Sequence, residues 1–203
     1  MLFNFKRKKN FILHKRNAFS KEACVHVINY FEKRRDLHQI GTICDMKIDY
    51  SIKKCTEIFL KSKDHVIFHD LLFKSLDDYA KIYPSVDKLN KFSIHPHHKI
   101  QKYNPGEGFF GEHCENSGDE DTVLAWMIYL NDVTDGGFNE FPNQNIKFQP
   151  RRGDFLMWPA YFTHTHFGIV SKTQTKYIAT GRYSLLTVSG GYKKVAMNTY
   201  LHI

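Results

Sequence analysis

Two histidine-containing elements in the second half of the chain combine the residue types of a metal site. His113 and Glu115 lie two positions apart, and side chains at that spacing in a β-strand point to the same side. His164 and His166 offer a third ligand, from either histidine. Two histidines and one carboxylate form a facial triad, which leaves positions open on Fe(II) for a co-substrate and O2. The hypothesis at this point is a ferrous centre built on β-structure.

The spacing of His113 and Glu115 is weak evidence by itself. The chain has 12 His and 21 Asp and Glu in 203 residues, so about one match to a His-x-acid pattern is expected by chance. The interpretation therefore depends on the elements that carry these residues and on the sequence around them.

The second half of the chain has the pattern of a β-sheet. From about Ile94, short β-like runs alternate with Gly, Pro, Asn and Asp turns, which is typical of a sandwich or jelly roll. The run at 122–130 is apolar at nearly every position and predicts a central buried strand. The predicted strands are Lys99–Tyr103, Thr122–Leu130, Asn145–Gln149, Asp154–Trp158 and Lys176–Leu186.

The first half predicts two helices. Ser20 is placed to cap a helix that begins at Lys21. A second helix is predicted from Val66 to Ile82 and is ended by Pro84. A strand is predicted between them at Cys55–Leu60.

These elements predict an α+β, mostly β fold. Its core is a double-stranded β-helix of the jelly-roll or cupin-like type, with the N-terminal helices packed on one sheet. We expect a single domain over residues 1–203, with helical support at about 18–92 and the catalytic core at about 94–190. The glycines at 190–191 and the following tail predict a terminal hairpin or a loose end.

Four segments resemble the prolyl-4-hydroxylase branch of the 2-oxoglutarate/Fe(II) oxygenases, and are similar to small phage-encoded members. The resemblance covers roughly Lys99 to Leu186. The segments are QKYNPGEGFFGEHCEN, LAWMIYLNDVTDGGFNEFP, QPRRGDFLMWPAYFTHTHFG and TKYIATGRYSL.

The resemblance implies His113, Glu115 and His166 as the iron ligands. In the family, the distal histidine lies ten residues before a basic residue that binds the co-substrate, and His166 has that spacing to Lys176. His164 does not, and remains the alternative ligand. Glu115 stands where many members have Asp, so its longer side chain has to fold back to reach the metal.

Further positions follow from the resemblance. Tyr103, Tyr129 and Lys176 match the residues that contact 2-oxoglutarate, with Tyr129 and Lys176 at its distal carboxylate. If Lys176–Leu186 is a strand, Arg182 shares a face with Lys176 and is a candidate contact for substrate or co-substrate, against a surface role. Trp158 is a second candidate, against a role in the core.

The expected cofactors are Fe(II), 2-oxoglutarate as co-substrate and O2, with ascorbate as an aid to sustained activity. The expected reaction hydroxylates a peptidyl residue, with proline as the leading candidate, while 2-oxoglutarate is decarboxylated to succinate and CO2. Two alternatives stay open. One is the same chemistry on a free amino acid or a nucleobase, and the other is a jelly-roll binding module without catalysis.

Composition limits the partners. The formal net charge is +8, concentrated near the N-terminus, which keeps a nucleic-acid partner open, although no recognition motif accompanies it. No run approaches the ~20 apolar residues that span a bilayer, and the short apolar stretch at 11–13 leads us to expect no signal peptide. The four cysteines form no CxxC pair. We therefore expect a cytoplasmic protein of the producing cell, such as a phage-infected bacterium. The oligomeric state is not indicated.

The histidines at 95, 97 and 98 form a second cluster. Because Pro96 makes this segment loop-like and no carboxylate lies close in sequence, we interpret them as surface histidines rather than ligands.

Overall fold

The computed structural model describes residues 9–43, 46–60, 64, 66–89, 91–116 and 121–186. In this part of the chain, helices α1 (Lys21–Lys33) and α2 (Val66–Ile82) accompany a set of short strands. The strands are β1 Leu13–Lys15, β2 Gln39–Ile40, β3 Lys53–Lys54, β4 Thr56–Phe59, β5 Phe92–Ile94, β6 Lys99–Tyr103, β7 Gly108–Phe109, β8 Thr122–Tyr129, β9 Asn139–Phe141, β10 Ile146–Phe148, β11 Phe155–Pro159, β12 Phe167–Gly168 and β13 Lys176–Leu185.

Both predicted helices are confirmed. The Ser20 hydroxyl accepts a hydrogen bond from the Ala23 amide at 3.1 Å, which satisfies one free donor of the first turn of α1. In α2, apolar residues at helical spacing form a buried stripe that includes Phe68, Leu72 and Leu76. Neither helix is long and apolar enough to cross a membrane.

The main sheet is antiparallel and is built around β8. Its strand order is β1-β11-β8-β13-β6-β4-β2, and β5 pairs with β13 beyond that path. Every residue of β8 is buried because the strand is covered on both faces. Leu124, Trp126 and Ile128 pack with the helices, whereas Met127 and Tyr129 belong to a second cluster on the opposite face. The period of two therefore separates a helix-covered face from a helix-free face.

Two smaller groups of strands lie beyond the main sheet. Strands β10, β9 and β12 form a three-stranded sheet, and β3 pairs with β7. Phe141 of β9 packs against Trp158 of β11, with ring centroids 5.4 Å apart. The helix-free face of the main sheet is thus covered by the three-stranded sheet, and the second core cluster lies between them.

The structure confirms the long predicted strands with small changes at their ends. The sequence reading missed β1, a three-residue strand that pairs with β11 at the edge of the main sheet. The interpretation of His98 as a surface residue was wrong, since its ring is buried 5.0 Å from the Trp126 ring. The predicted C-terminal hairpin and the end of the predicted core at 190 lie outside the described residues.

Phe68 tests the packing of α2 on the main sheet. Its ring is fully buried against the rings of Phe19 and Trp126, so we expect Phe68→Ala to lower the free energy of unfolding by about 3–5 kcal/mol. Phe73, on the same helix, is 43% exposed, and Phe73→Ala should cost less than about 1 kcal/mol. Urea denaturation followed by circular dichroism measures both, and equal losses would contradict this packing.

Candidate functional site

A pair of backbone hydrogen bonds brings the two histidine elements together. The His113 amide donates to the His166 carbonyl at 3.0 Å, and the His166 amide donates back to His113 at 2.8 Å. This is an isolated antiparallel bridge outside the named strands. Residues in such a reciprocal pair lie directly opposite each other, and the two imidazole centroids are 4.4 Å apart.

Glu115 completes a group of three potential ligands. Its Oε1 lies 3.3 Å from His166 Nε2 and 4.0 Å from His113 Nε2. One ligand atom from each residue lies within 4.8 Å of the other two, and no second group of this kind occurs among the described residues. Two imidazole nitrogens and a carboxylate oxygen are the donor set of a facial triad, so the residues fit Fe(II).

The other ring nitrogens of both histidines face backbone carbonyls. His113 Nδ1 lies 2.9 Å from the Gly111 carbonyl, and His166 Nδ1 lies 3.1 Å from the His164 carbonyl. Because a carbonyl only accepts, each Nδ1 carries the hydrogen. In the neutral ring the lone pair of Nε2 then faces Glu115, so a cation has to lie between these two acceptors: a proton on Nε2, which makes the hydrogen bond to Glu115, or a metal ion that replaces it.

Burial and charge favour the protonation states that a metal requires. Burial, aided by the charge of His166, lowers the pKa of His113 to about 4. Burial alone would raise the pKa of Glu115, but the hydrogen bond from His166 and the charges of both imidazoles lower it to about 2. His113 is therefore neutral and Glu115 ionised at neutral pH, as metal ligation demands.

Aromatic rings fix the orientation of the imidazoles. Phe109 stacks on His113 with centroids 3.6 Å apart and an interplanar angle of 8°. Phe141 and Trp158 each lie 5.0 Å from the His166 ring. Trp158, one of the two candidate substrate contacts, is thus a buried wall of this site whose indole nitrogen has no hydrogen-bond partner among the described residues.

His164, the alternative ligand, is not brought to the group. Its Nε2 lies 2.9 Å from the Asn10 carbonyl and its Nδ1 lies 2.9 Å from the Thr163 hydroxyl. Both nitrogens are occupied by these partners, and the ring connects the segment before β1 to the loop that carries His166.

Lys176 lies at the start of β13 on the helix-free face. It is 5% exposed, and burial lowers its pKa to about 8. Its Nζ donates to the Gly137 carbonyl at 3.1 Å and lies 4.9 Å from the Tyr103 ring centroid. Gly137 has φ of +70°, a conformation that favours glycine. Within the described residues, no carboxylate pairs with Lys176, so the surroundings of its ammonium group suit an anion.

The two candidate tyrosines are buried nearby. The Tyr103 hydroxyl donates to Gln101 Oε1 at 3.0 Å. Burial raises the pKa of Tyr103, and the charge of Glu115 makes a smaller contribution in the same direction. The Tyr129 hydroxyl lies 3.0 Å from Asn139 Oδ1 and 3.2 Å from the Phe148 carbonyl. An anion beside Lys176 would therefore compete with these acceptors for the Tyr129 hydrogen.

Arg182 lies farther along β13 on the face that carries Lys176. Its cross-strand partner on β8 is Ala125, which belongs to the helix-free cluster, just as Ile178 is paired with Tyr129. Burial raises the pKa of Glu115, the two imidazoles lower it, and the charge of Arg182 adds a smaller lowering effect. The guanidinium therefore lies within electrostatic range of the candidate ligand.

A buried charge network next to Tyr103 was missed by the sequence reading. Glu57 is fully buried and accepts hydrogen bonds from Lys53 at 2.9 Å, Lys99 at 3.1 Å and Gln101 at 2.8 Å. The available signal was a glutamate in the middle of a strand that is otherwise apolar, CTEIFL.

Comparison with known proteins identifies this region of the chain. Residues 98–184 match the family model of the 2OG-Fe(II) oxygenase superfamily, whose members use Fe(II), 2-oxoglutarate and O2. No curated protein sequence matches the chain.

The fold is that of solved prolyl hydroxylases. The viral collagen prolyl hydroxylase of Paramecium bursaria Chlorella virus-1, in its 2OG complex, is 18% identical with a TM-score of 0.64, over 87% of this chain and 97% of that one. A Trichoplax adhaerens prolyl hydroxylase, solved with a hypoxia-inducible factor peptide, is 16% identical with a TM-score of 0.68, over 87% and 84% of the chains.

A Pseudomonas putida prolyl-4-hydroxylase is 14% identical with a TM-score of 0.63, over 86% of this chain and 92% of that one. Identities this low establish the fold alone, and they confirm the predicted jelly roll.

The low pKa of Lys176 predicts a pH-dependent stability. A lysine whose pKa is lower in the folded chain than in the unfolded chain destabilises the fold. The effect is complete at a pH below the folded-state pKa, and it disappears as the pH rises toward the unfolded-state pKa. Without added ligands at pH 7, Lys176→Met should therefore raise the free energy of unfolding by about 1–3 kcal/mol relative to wild type.

Urea denaturation at pH 7 and pH 9.5 measures this difference, which should shrink at the higher pH. A variant that is less stable than wild type at pH 7 would show that the ammonium is favourably placed without an anion.

Proposed function

We propose, on the premise that residues 98–184 belong to the 2OG-Fe(II) oxygenase superfamily, that this chain hydroxylates a peptidyl residue, with proline as the leading target. The proposal rests on two features that occur together. The ligand atoms of His113, Glu115 and His166 converge, and a buried lysine, Lys176, has no acidic partner among the described residues. The solved prolyl hydroxylases of the same fold support proline, and one of them holds a peptide.

His113, Glu115 and His166 would hold Fe(II). Their ligand atoms converge, and the backbone carbonyls on both Nδ1 atoms keep the two Nε2 lone pairs directed at the same point. Bound there, the metal with 2-oxoglutarate and O2 supplies oxidative decarboxylation of the co-substrate to succinate and CO2, coupled to hydroxylation of a C–H bond.

Lys176 would bind the distal carboxylate of 2-oxoglutarate. A buried carboxylate without a partner is costly, and so is the buried ammonium that awaits it. A charge-assisted hydrogen bond between the two offsets both costs and orients the co-substrate. Tyr103 supports this role because its ring faces the Lys176 ammonium, while its hydroxyl is held by Gln101.

Aromatic walls would protect the reaction from water. Phe109 covers one imidazole, and Phe141 and Trp158 cover the other. Rigid rings hold the ligands in position before the substrate arrives, which is the contribution that a protein makes to cofactor chemistry.

Proline hydroxylation is tested by mass spectrometry. Purified protein with Fe(II), 2-oxoglutarate and ascorbate should add ~16 Da to proline-containing peptides and form succinate in step. Matched peptides with alanine in place of proline should gain nothing. Oxygen gain on free amino acids or nucleobases but not on peptides would contradict the peptidyl assignment. Absence of succinate under all conditions would favour a binding module without catalysis.

The ligand assignment is tested by a pair of alanine variants. His166→Ala should abolish succinate formation. It should also weaken Fe(II) binding by more than roughly 10–100-fold, which is the loss expected when a residue that only hydrogen-bonds to a metal ligand is removed. His164→Ala removes the same side chain two residues away and should retain metal binding and turnover, at some cost in stability. Isothermal titration and a succinate assay measure both, and the reverse result would move the ligand to His164.

A further inference from the structure

A second set of cations lies on the helix-free face, two of them along the same pair of strands as Lys176. We define the cationic cluster as Lys53 and Lys99, which share the Glu57 carboxylate, together with Arg182, which lies two residues along β13 from the cross-strand partner of Lys99. Lys53 and Glu57 are almost completely buried, and Lys99 is 25% exposed. The role proposed for Lys176 does not use this cluster.

The two lysines of the cluster share a single carboxylate. Lys53 Nζ lies 2.9 Å from Glu57 Oε2, and Lys99 Nζ lies 3.1 Å from Glu57 Oε1. These three residues together carry a net charge of +1, and the charge of Arg182 also acts on Glu115. A surplus charge beside a buried ion pair favours an ion of opposite sign, and Lys99, at 25% exposed, can be reached by one.

The cluster lies close to the candidate ligands. Lys53 Nζ is 5.5 Å from the Phe109 ring centroid, and the same ring stacks on His113 with centroids 3.6 Å apart. Lys99 is opposite Thr180, two residues before Arg182 on β13. Burial lowers the pKa of Lys99 and the charges of Lys53 and Arg182 add to this, which puts the three cations within range of one another.

We propose that the cationic cluster binds an acidic side chain of the substrate, one or a few residues from the residue that is hydroxylated. This inference rests on the proposed peptidyl hydroxylation and adds a substrate class to it. An extended peptide advances about 3.3–3.6 Å per residue. A carboxylate near the target would therefore reach a cation that is separated from His113 by one aromatic ring.

A peptide carboxylate fits the cluster better than a nucleic acid does. Binding along a nucleic acid relies on several exposed cations that follow successive phosphates. Here Lys53 is 3% exposed and held in place by Glu57 and by the Thr42 carbonyl at 3.0 Å. Because Lys53 is not exposed, the cluster offers no row of exposed cations and suits a single anionic group instead.

Matched peptides test the inference. Three series carry one proline flanked by Asp and Glu, by Asn and Gln, or by Lys and Arg. Affinity is measured by fluorescence anisotropy on protein loaded with Fe(II) and 2-oxoglutarate without O2, and kcat/KM is measured with O2. Wild type should favour the acidic over the amide series by at least about tenfold, since a charge-assisted hydrogen bond is about twice as strong as a neutral one.

Two variants assign the preference to the cluster. Lys99→Gln and Arg182→Gln should bring the acidic-to-amide ratio close to one, whereas a general loss of structure would lower both series in parallel. Lys81→Gln is the matched control, because it removes a lysine that is 76% exposed on α2, and it should leave the ratio unchanged.

The remaining outcomes separate this inference from the proposed function. Acidic preference in binding without any hydroxylation would support the cluster and count against peptidyl hydroxylation. Hydroxylation with equal ratios would keep the function and overturn the inference. A rise in KM for 2-oxoglutarate with an unchanged ratio would assign the cluster to the co-substrate instead. Stronger competition by single-stranded DNA than by acidic peptides would also overturn the inference.

Discussion

Two backbone hydrogen bonds between His113 and His166 hold the candidate ligands side by side across a large separation in sequence. The bridge sets the distance between the imidazoles through the backbone, so side-chain packing has only to set their rotation. Phe109 does so for one ring by stacking, and Phe141 for the other. A site that depends on backbone pairing is rigid before any ligand arrives, and this is the property that metal and co-substrate binding require.

The two faces of the main sheet have separate tasks. Along β8, Leu124, Trp126 and Ile128 pack on the side of the helices, while Ala125, Met127 and Tyr129 belong to the cluster on the opposite face. Since successive side chains point to opposite faces, a single strand serves both purposes without conflict. The helices therefore stabilise the sheet from one face. The candidate site residues on β13, such as Lys176, lie on the other face.

Local patterns made much of this predictable. The cap at Ser20 and the apolar spacing in α2 predicted the helices. The spacing of the histidines, with the resemblance around them, pointed to the three residues whose ligand atoms converge in the structure. What the sequence did not indicate depends on contacts between distant strands. The Glu57 network requires β4 and β6 to be in register, and the bond from His164 to Asn10 requires the segment before β1 to return to the ligand loop. No local pattern contains those distances.

The buried cations on the helix-free face lower the stability of the folded protein, and ligand binding explains why they are present. The ammonium groups of Lys176 and Lys53 are both buried away from water, which lowers the stability of the protein without ligands. Each such charge is also an interaction that only an anionic ligand completes, so binding returns the free energy that folding gave up. Residues that break the rules of core composition are therefore expected at binding sites. Their position on one face, beside the converging ligand atoms, makes selectivity for anions a consequence of the fold itself.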